Sequence, residues 1–247
     1  MGEEEIKDLN ISDDGSYPLH MAVKKGDIEL VADLIKNGAD VNDRSPDGTT
    51  ALMLASRFGQ IDIVDLLIKN GANVNLKDNN GSNALIFVAF NGKIEIVKKL
   101  IEAGVILNES SRPGDFSSVF ASQRALVFAA QNGHNDILEL LIKNGVDVNG
   151  QSKSGLTALM AASRANHLET VKLLVKSGAN VNSKSDNGTT ALIKAVQDGH
   201  LEVVKFLIES GVDVNVENEY HSSALTIARN NHYDAIEKLL LEAGAKK

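Results

Sequence analysis

Short apolar runs alternate with polar turns along the chain, and their spacing indicates α-helices. Between residues 61 and 70, Ile63, Val64, Leu67 and Ile68 follow i, i+1, i+4, i+5 spacing, which places one apolar face on a helix. The same face recurs further along the chain in Val171, Leu174 and Val175, and in Val203, Val204, Leu207 and Ile208. Helices of about ten residues are shorter than the ~12–15 residues at which an isolated helix is even marginal. We therefore expect these helices to be stabilised by packing on their neighbours.

The residues between the apolar runs predict where each helix begins and ends. Thr50 offers an N-cap hydroxyl to a first helix over residues 51–58. Gly59 breaks that helix, and a second helix follows over residues 61–70. Gly71 ends the second helix in the left-handed conformation that glycine tolerates best.

Glycines at the ends of the second helices define a repeat. They are Gly38, Gly71, Gly104, Gly145, Gly178, Gly211 and Gly244, separated by steps of 33, 33, 41, 33, 33 and 33 residues. A period near 33 residues is typical of a stacked solenoid. The predicted fold class is an all-α solenoid of stacked helix–turn–helix units with finger-like turns. Such a fold offers an open surface, which favours binding over catalysis.

The repeated unit resembles the ankyrin repeat. Residues 47–55 read DGTTALMLA, residues 18–22 read PLHMA, and residues 38–42 and 71–75 read GADVN and GANVN. The leucine that opens each first helix occurs seven times, as Leu19, Leu52, Leu85, Leu126, Leu159, Leu192 and Leu225. The resemblance implies a lead-in over 1–11 and a single domain of seven repeats over 12–247. A capping repeat is expected over about 218–247.

Two sets of positions in the repeat carry further expectations: two substitutions of a family glycine, and a recurring asparagine. Asn166 and His232 replace the glycine between the helices, so both residues are expected in the left-handed conformation. Recurring asparagines such as Asn42 and Asn75 are expected to hold the hairpin backbone through their side-chain amides.

One insertion of eight residues interrupts the period, at about residues 109–122. It carries Phe116 and Phe120 in a serine-rich segment. Insertions in repeat proteins map to loops on one face, which is often the binding face. Two interpretations stay open: the phenylalanines pack as a small satellite core, or they contact a partner.

The resemblance implies that a partner protein lies along the concave groove formed by the first helices and the fingers. The groove positions carried over by motif are Lys24, Lys25, Arg57, Phe58, Phe90, Asn91, Gln131, Arg164 and Asp198. The finger and insertion positions are Asp47, Asn80, Arg112, Phe116, Phe120, Arg124, Leu156 and Tyr220. Phe58 and Phe90, beside Arg57 and Lys25, are interpreted as aromatic anchors with a basic rim. The alternative is that both rings pack sideways against small neighbours.

Charge and composition narrow the classes of function. The net charge of −8 is unlike the basic surface of a general nucleic-acid binder, and the chain has no cysteine. No catalytic motif, phosphate loop or metal-ligand spacing stands out, so we predict no enzyme, no cofactor and no metal. We predict a monomeric, cytoplasmic scaffold or adaptor that binds another protein, and neither nucleic acid nor a membrane. The alternatives are a regulator that senses a small ligand through Arg112, Arg124 and the insertion phenylalanines, or a fragment of a larger protein.

Overall fold

The computed structural model describes residues 17–107 and 120–246, and these residues form fourteen α-helices and no β-strand. The chain divides into two compact units, Met1–Ala121 and Ser122–Lys247. Of Phe120 only the backbone belongs to the described part of the chain. A single domain over 12–247 and a count of seven repeats both stay predictions.

In the first unit, three helix pairs follow one another along the chain. They are α1 (Pro18–Lys25) with α2 (Ile28–Lys36), α3 (Ala51–Phe58) with α4 (Ile61–Lys69), and α5 (Ala84–Asn91) with α6 (Ile94–Glu102). First helices pack on first helices, α1 on α3 and α3 on α5, and the second helices α2, α4 and α6 do the same. The predicted helices over 51–58 and 61–70 are confirmed to within one residue.

The second unit contains four further pairs. They are α7 (Phe120–Gln131) with α8 (Asn135–Lys143), α9 (Ala158–Arg164) with α10 (Leu168–Lys176), α11 (Ala191–Gln197) with α12 (Leu201–Glu209), and α13 (Ala224–Asn230) with α14 (Asp234–Glu242). Helix α7 begins two residues before the boundary between the units. Within this unit α9, α11 and α13 pack in succession, as do α10, α12 and α14.

Side-chain caps begin most of the first helices. Thr50 accepts a hydrogen bond from the backbone amide of Met53 at 3.3 Å, which confirms its predicted role. Asn83, Thr157, Thr190 and Ser223 cap α5, α9, α11 and α13 in the same way. Among the first helices whose N-cap residue is described, α1 is the exception, because Tyr17 occupies its N-cap and makes no such bond.

The turns between paired helices need a left-handed residue. Gly59 has φ +70° there, and the same position is held by Asn166 at +60° and His232 at +57°. The expectation that these two residues adopt positive φ is therefore confirmed. Asparagine tolerates this region better than histidine does.

The core of each unit is a thin apolar layer between helices. In the second pair, α3 packs on α4, and Leu52 and Met53 of α3 are buried, as are Ile63, Val64 and Leu67 of α4. Each buried leucine, isoleucine or methionine side chain contributes roughly 1.5–3 kcal/mol relative to an exposed one. The stack therefore replaces the stability that these short helices lack on their own.

Candidate functional site

A concavity opens on the first helices of the first unit, and its floor is apolar. Met21, Leu54 and Phe87 occupy the same position in α1, α3 and α5, at steps of 33 residues, and all three line it together with Phe58. Its volume is about 640 Å³. We call it the first concavity.

Two cations stand in the first concavity, Lys24 from α1 and Arg57 from α3. Both side chains are exposed, and neither forms a salt bridge with any residue that the structure describes. Asp47 is the one carboxylate of the lining, and hydrogen bonds from the Ser45 hydroxyl and the Thr49 amide lower its pKa. Those bonds hold the Asp47 carboxylate within its own finger, and among the described residues it forms no salt bridge with either cation.

His20 is a buried polar residue of the same lining. Its Nε2 lies 2.9 Å from the carbonyl oxygen of Thr49, while Nδ1 is buried and has no hydrogen-bond partner among the described residues. Burial lowers the pKa of His20. The ring is therefore neutral at pH 7, and it adds no positive charge to the two cations.

Some of the predicted groove residues of this unit line the first concavity, and others lie outside it. Lys24, Arg57, Phe58 and the finger residue Asp47 line the first concavity, whereas Lys25, Phe90 and Asn80 are exposed outside it. Asn91 is half-buried, and its amide donates to the carbonyl oxygen of Arg57. Phe58 and Phe90 are each 50% exposed, but the phenylalanine that joins Phe58 in the lining is Phe87.

The second unit has a concavity of its own, of about 590 Å³, on α9 and α11. Three of the predicted groove positions, Gln131, Arg164 and Asp198, line it together with the predicted finger position Leu156. The guanidinium Nε of Arg164 lies 3.8 Å from a carboxylate oxygen of Asp198. We call this the second concavity; its Arg164 faces a carboxylate, whereas neither cation of the first concavity forms a salt bridge within the described residues.

The remaining predicted positions that the structure describes do not line either of these two concavities. Arg124 lies over the ring of Phe128, 6.0 Å from its centroid, in a shallower depression of about 390 Å³ in the second unit. Tyr220 is 72% exposed in a finger turn. Arg112 and Phe116, and the side chain of Phe120, lie outside the described residues. The predicted ligand site at the insertion therefore has only Arg124 within the described part.

The sequence reasoning missed the floor of the concavities. Met21, Leu54, Phe87 and, in the second unit, Lys194 each stand two residues after the leucine that opens their helix. Their 33-residue spacing was available as a signal. That spacing marks the row, but it does not show whether an apolar residue in a first helix is buried or lines a surface.

The recurring histidines have structural partners. His167 Nε2 lies 3.0 Å from the carbonyl oxygen of Gln131, and His200 Nε2 lies 2.8 Å from that of Arg164. Each histidine is the N-cap residue of a second helix, and its bond reaches the C-terminal end of the first helix of the preceding pair. Over residues 17–107 and 120–246, no group of three His, Asp or Glu side chains could hold a metal ion.

Comparison with known proteins decides the family. A family model described as Ankyrin repeats (3 copies) matches residues 19–111, 85–185 and 178–247, which is most of the chain. The chain belongs to the ankyrin-repeat family. No curated protein shows a significant sequence match to it. Ankyrin-repeat domains in general are protein–protein interaction modules and are typically non-catalytic.

Two solved structures illustrate the likeness. The ankyrin-repeat domain of human ASB11 matches with a TM-score of 0.80 and 25% sequence identity, over 94% of this chain and 100% of that one. The ankyrin-repeat domain of Bcl-3, a member of the IkappaB protein family, matches with a TM-score of 0.68 and 28% identity. That match covers 91% of this chain and 99% of the Bcl-3 chain. Among the described helices, none has the length and hydropathy that crossing a bilayer would require.

Proposed function

We propose that this ankyrin-repeat protein is a scaffold or adaptor that binds a partner protein through the exposed surface of its first helices and fingers. We also propose that the protein acts as a monomer in the cytoplasm. Light scattering would test the oligomeric state, and cell fractionation would test the compartment. Binding on a preformed surface costs little conformational entropy, so a few well-placed side chains can supply the affinity.

The observation that carries the proposal is the exposure of Phe58 in the first concavity. A phenylalanine that is 50% exposed contributes only part of its burial energy to the fold. It stands beside Arg57, and aromatic residues and arginine are the residue types that dominate binding energy at protein interfaces. Exposed apolar side chains occur elsewhere on the unit, but Phe58 is set in a concave surface with cations around it.

The test is affinity capture from a lysate of the source cells, with quantitative mass spectrometry. Wild-type protein is compared with the variant Phe58→Ala/Phe90→Ala. The matched control is Leu30→Ala/Ile61→Ala, which removes two exposed apolar side chains from second helices of the same unit; these are 40% and 37% exposed. Circular dichroism establishes that all three proteins are folded.

A protein retained by the wild type and the control, but lost by the phenylalanine variant, would support binding at this surface. A protein retained equally by all three would contradict it. Loss from the control alone would move the interface to the second helices.

A further inference from the structure

We propose that the first concavity binds an acidic peptide segment of the partner, with one bulky apolar side chain of that segment inserted between Phe58 and Phe87. This inference rests on the proposed function and specifies the chemistry of the bound segment. It is drawn from the apolar floor, the charge balance and the dimensions of the first concavity.

The floor of the first concavity is suited to an apolar side chain. Met21 is 43% exposed and Phe58 is 50% exposed, while Phe87 is half-buried and Leu54 is buried beneath them. A partner side chain placed here would remove apolar surface of several residues from water at once. Burial of apolar area is favourable by roughly 25 cal/mol per Å².

The charged side chains of the first concavity indicate which residues of the bound segment flank its apolar side chain. Lys24 and Arg57 outnumber the single carboxylate of Asp47, and Asp47 already accepts bonds from Ser45 and Thr49. This positive excess lies on a chain whose net charge is −8. Carboxylates of a bound segment could therefore pair with cations that have no salt bridge within the described residues. Charge complementarity of this kind sets specificity and association rate.

The second concavity provides the internal comparison. Its lining contains two cations, Arg164 and Lys194, but also two carboxylates, Asp186 and Asp198. Its floor has Ala161 where the first concavity has Leu54 and Phe87. The phenylalanine side chains of the floor and the excess of positive charge are therefore properties of the first concavity that the second does not share.

The spacing of the floor residues fits a polypeptide. Packed helices lie about 8–10 Å apart, so the row Met21, Leu54 and Phe87 spans roughly 20 Å across three first helices. An extended chain advances about 3.3 Å per residue, so about six residues cover this row. A peptide can thus place one apolar residue on the floor while its acidic neighbours reach the cations.

The experiment is a display selection of random 16-residue peptides on the full chain. The enriched peptides are then synthesised with a fluorescent label and titrated by polarisation. We expect the enriched peptides to contain a bulky apolar residue with at least two Asp or Glu residues beside it. Phe58→Ala should weaken such a peptide by about tenfold or more, which is the size of effect seen for interface anchors. Higher salt should weaken binding, because the paired charges are close to solvent.

Reversing the charge of Lys24 and Arg57 gives a more stringent version of the same experiment. The variant Lys24→Glu/Arg57→Glu should lose the acidic peptides and should enrich peptides with Lys or Arg beside the apolar residue. The matched control, Arg164→Glu/Lys194→Glu in the second concavity, should keep the wild-type peptides with unchanged affinity.

The outcomes separate this inference from the proposed function. Enriched peptides that are basic, or that ignore Phe58, would overturn the inference. Peptides that depend on Arg164 and Lys194 instead would also overturn it, yet they would leave protein binding through the first helices standing. If no peptide is enriched on the wild type, the acidic-segment inference fails, and the lysate capture then decides the proposed function alone.

Discussion

The side chain of Asn75 bonds to the backbone of the next helix pair at Gly104. Its amide nitrogen donates to the carbonyl oxygen of Gly104 at 3.1 Å, and its Oδ1 accepts from the backbone amide of Ile106 at 2.7 Å. Asn42 makes the same two bonds to Gly71 and Asn73. In the second unit Asn149 bonds to Gly178 and Asn180, and Asn215 bonds to Gly244 and Lys246. These asparagines hold backbone through their side-chain amides, as expected, and the backbone that they hold belongs to the next helix pair.

Replacing Asn75 should therefore weaken the stack itself. Asn75→Ala removes both bonds, and each is worth about 1 kcal/mol net, so we expect the free energy of unfolding to fall by about 1–2 kcal/mol. Asn75→Asp keeps the acceptor but loses the donor to Gly104, so it should also destabilise. Chemical denaturation measures both. Asn70→Ala is the control, because Asn70 donates only to Leu66 within its own helix at 2.8 Å and should cost less.

Asp65 should titrate far below the ordinary range. Lys69 from the same helix and Lys99 from α6 each place an ammonium 2.7 Å from its carboxylate, and they lower the pKa of Asp65 from 3.8 to about 2. A folded-state pKa below the unfolded value means stability that is present above about pH 3.8 and lost as the pH falls through 2. Carboxyl NMR measures the pKa directly.

Substitution of Lys99 tests the cause of that shift. Lys99→Met should raise the pKa of Asp65 toward 3.8, although Lys69 remains beside it. Lys98→Met is the control, because the Lys98 ammonium pairs with Glu95 at 2.8 Å and should leave Asp65 unchanged. Equal shifts in the two variants would show that general charge, and not the pair, sets the pKa.

Replacement of His232 by glycine should stabilise the second unit. This histidine has φ +57° at a position where Gly59 and Gly199 stand in other pairs, and a left-handed L-residue costs roughly 1–2 kcal/mol. Part of that gain is offset by the greater backbone entropy of glycine in the unfolded chain. We expect His232→Gly to raise the free energy of unfolding by about 0.5–1 kcal/mol in denaturant titrations, and Asn166→Gly to raise it less. Arg229→Gly, within α13, should lower it.

Stability should also depend on the protonation of His20. Because burial lowers its pKa below 6.5, the unfolded chain binds a proton before the folded one does as the pH falls. Its contribution is complete above pH 6.5 and is lost on acidification. His20→Met adopts the residue found at the equivalent positions Met53 and Met160, both 1% exposed. We expect this variant to lose less stability than the wild type between pH 7 and pH 5, in matched denaturant titrations; an equal loss in both would contradict the prediction.

The repeat period and the residues that begin and end the helices were determined by the sequence alone. Thr50, Gly59 and Gly71 act locally, through an N-cap bond and through backbone conformations that suit glycine, so their effect follows from residue type and position. The same holds for the left-handed Asn166. Local chemistry of this kind needs no knowledge of what packs against it.

The partners across the stack were decided by the tertiary structure. Asn75 reaches Gly104, 29 residues away, and Lys99 reaches Asp65, 34 residues away, and no short-range pattern encodes either pair. Likewise, Phe58 was singled out from the sequence, but its neighbour Phe87 was not. Which apolar residues are buried and which form an exposed floor depends on how neighbouring first helices pack. Only the packed stack brings residues 33 positions apart onto one surface, and that surface is the candidate site.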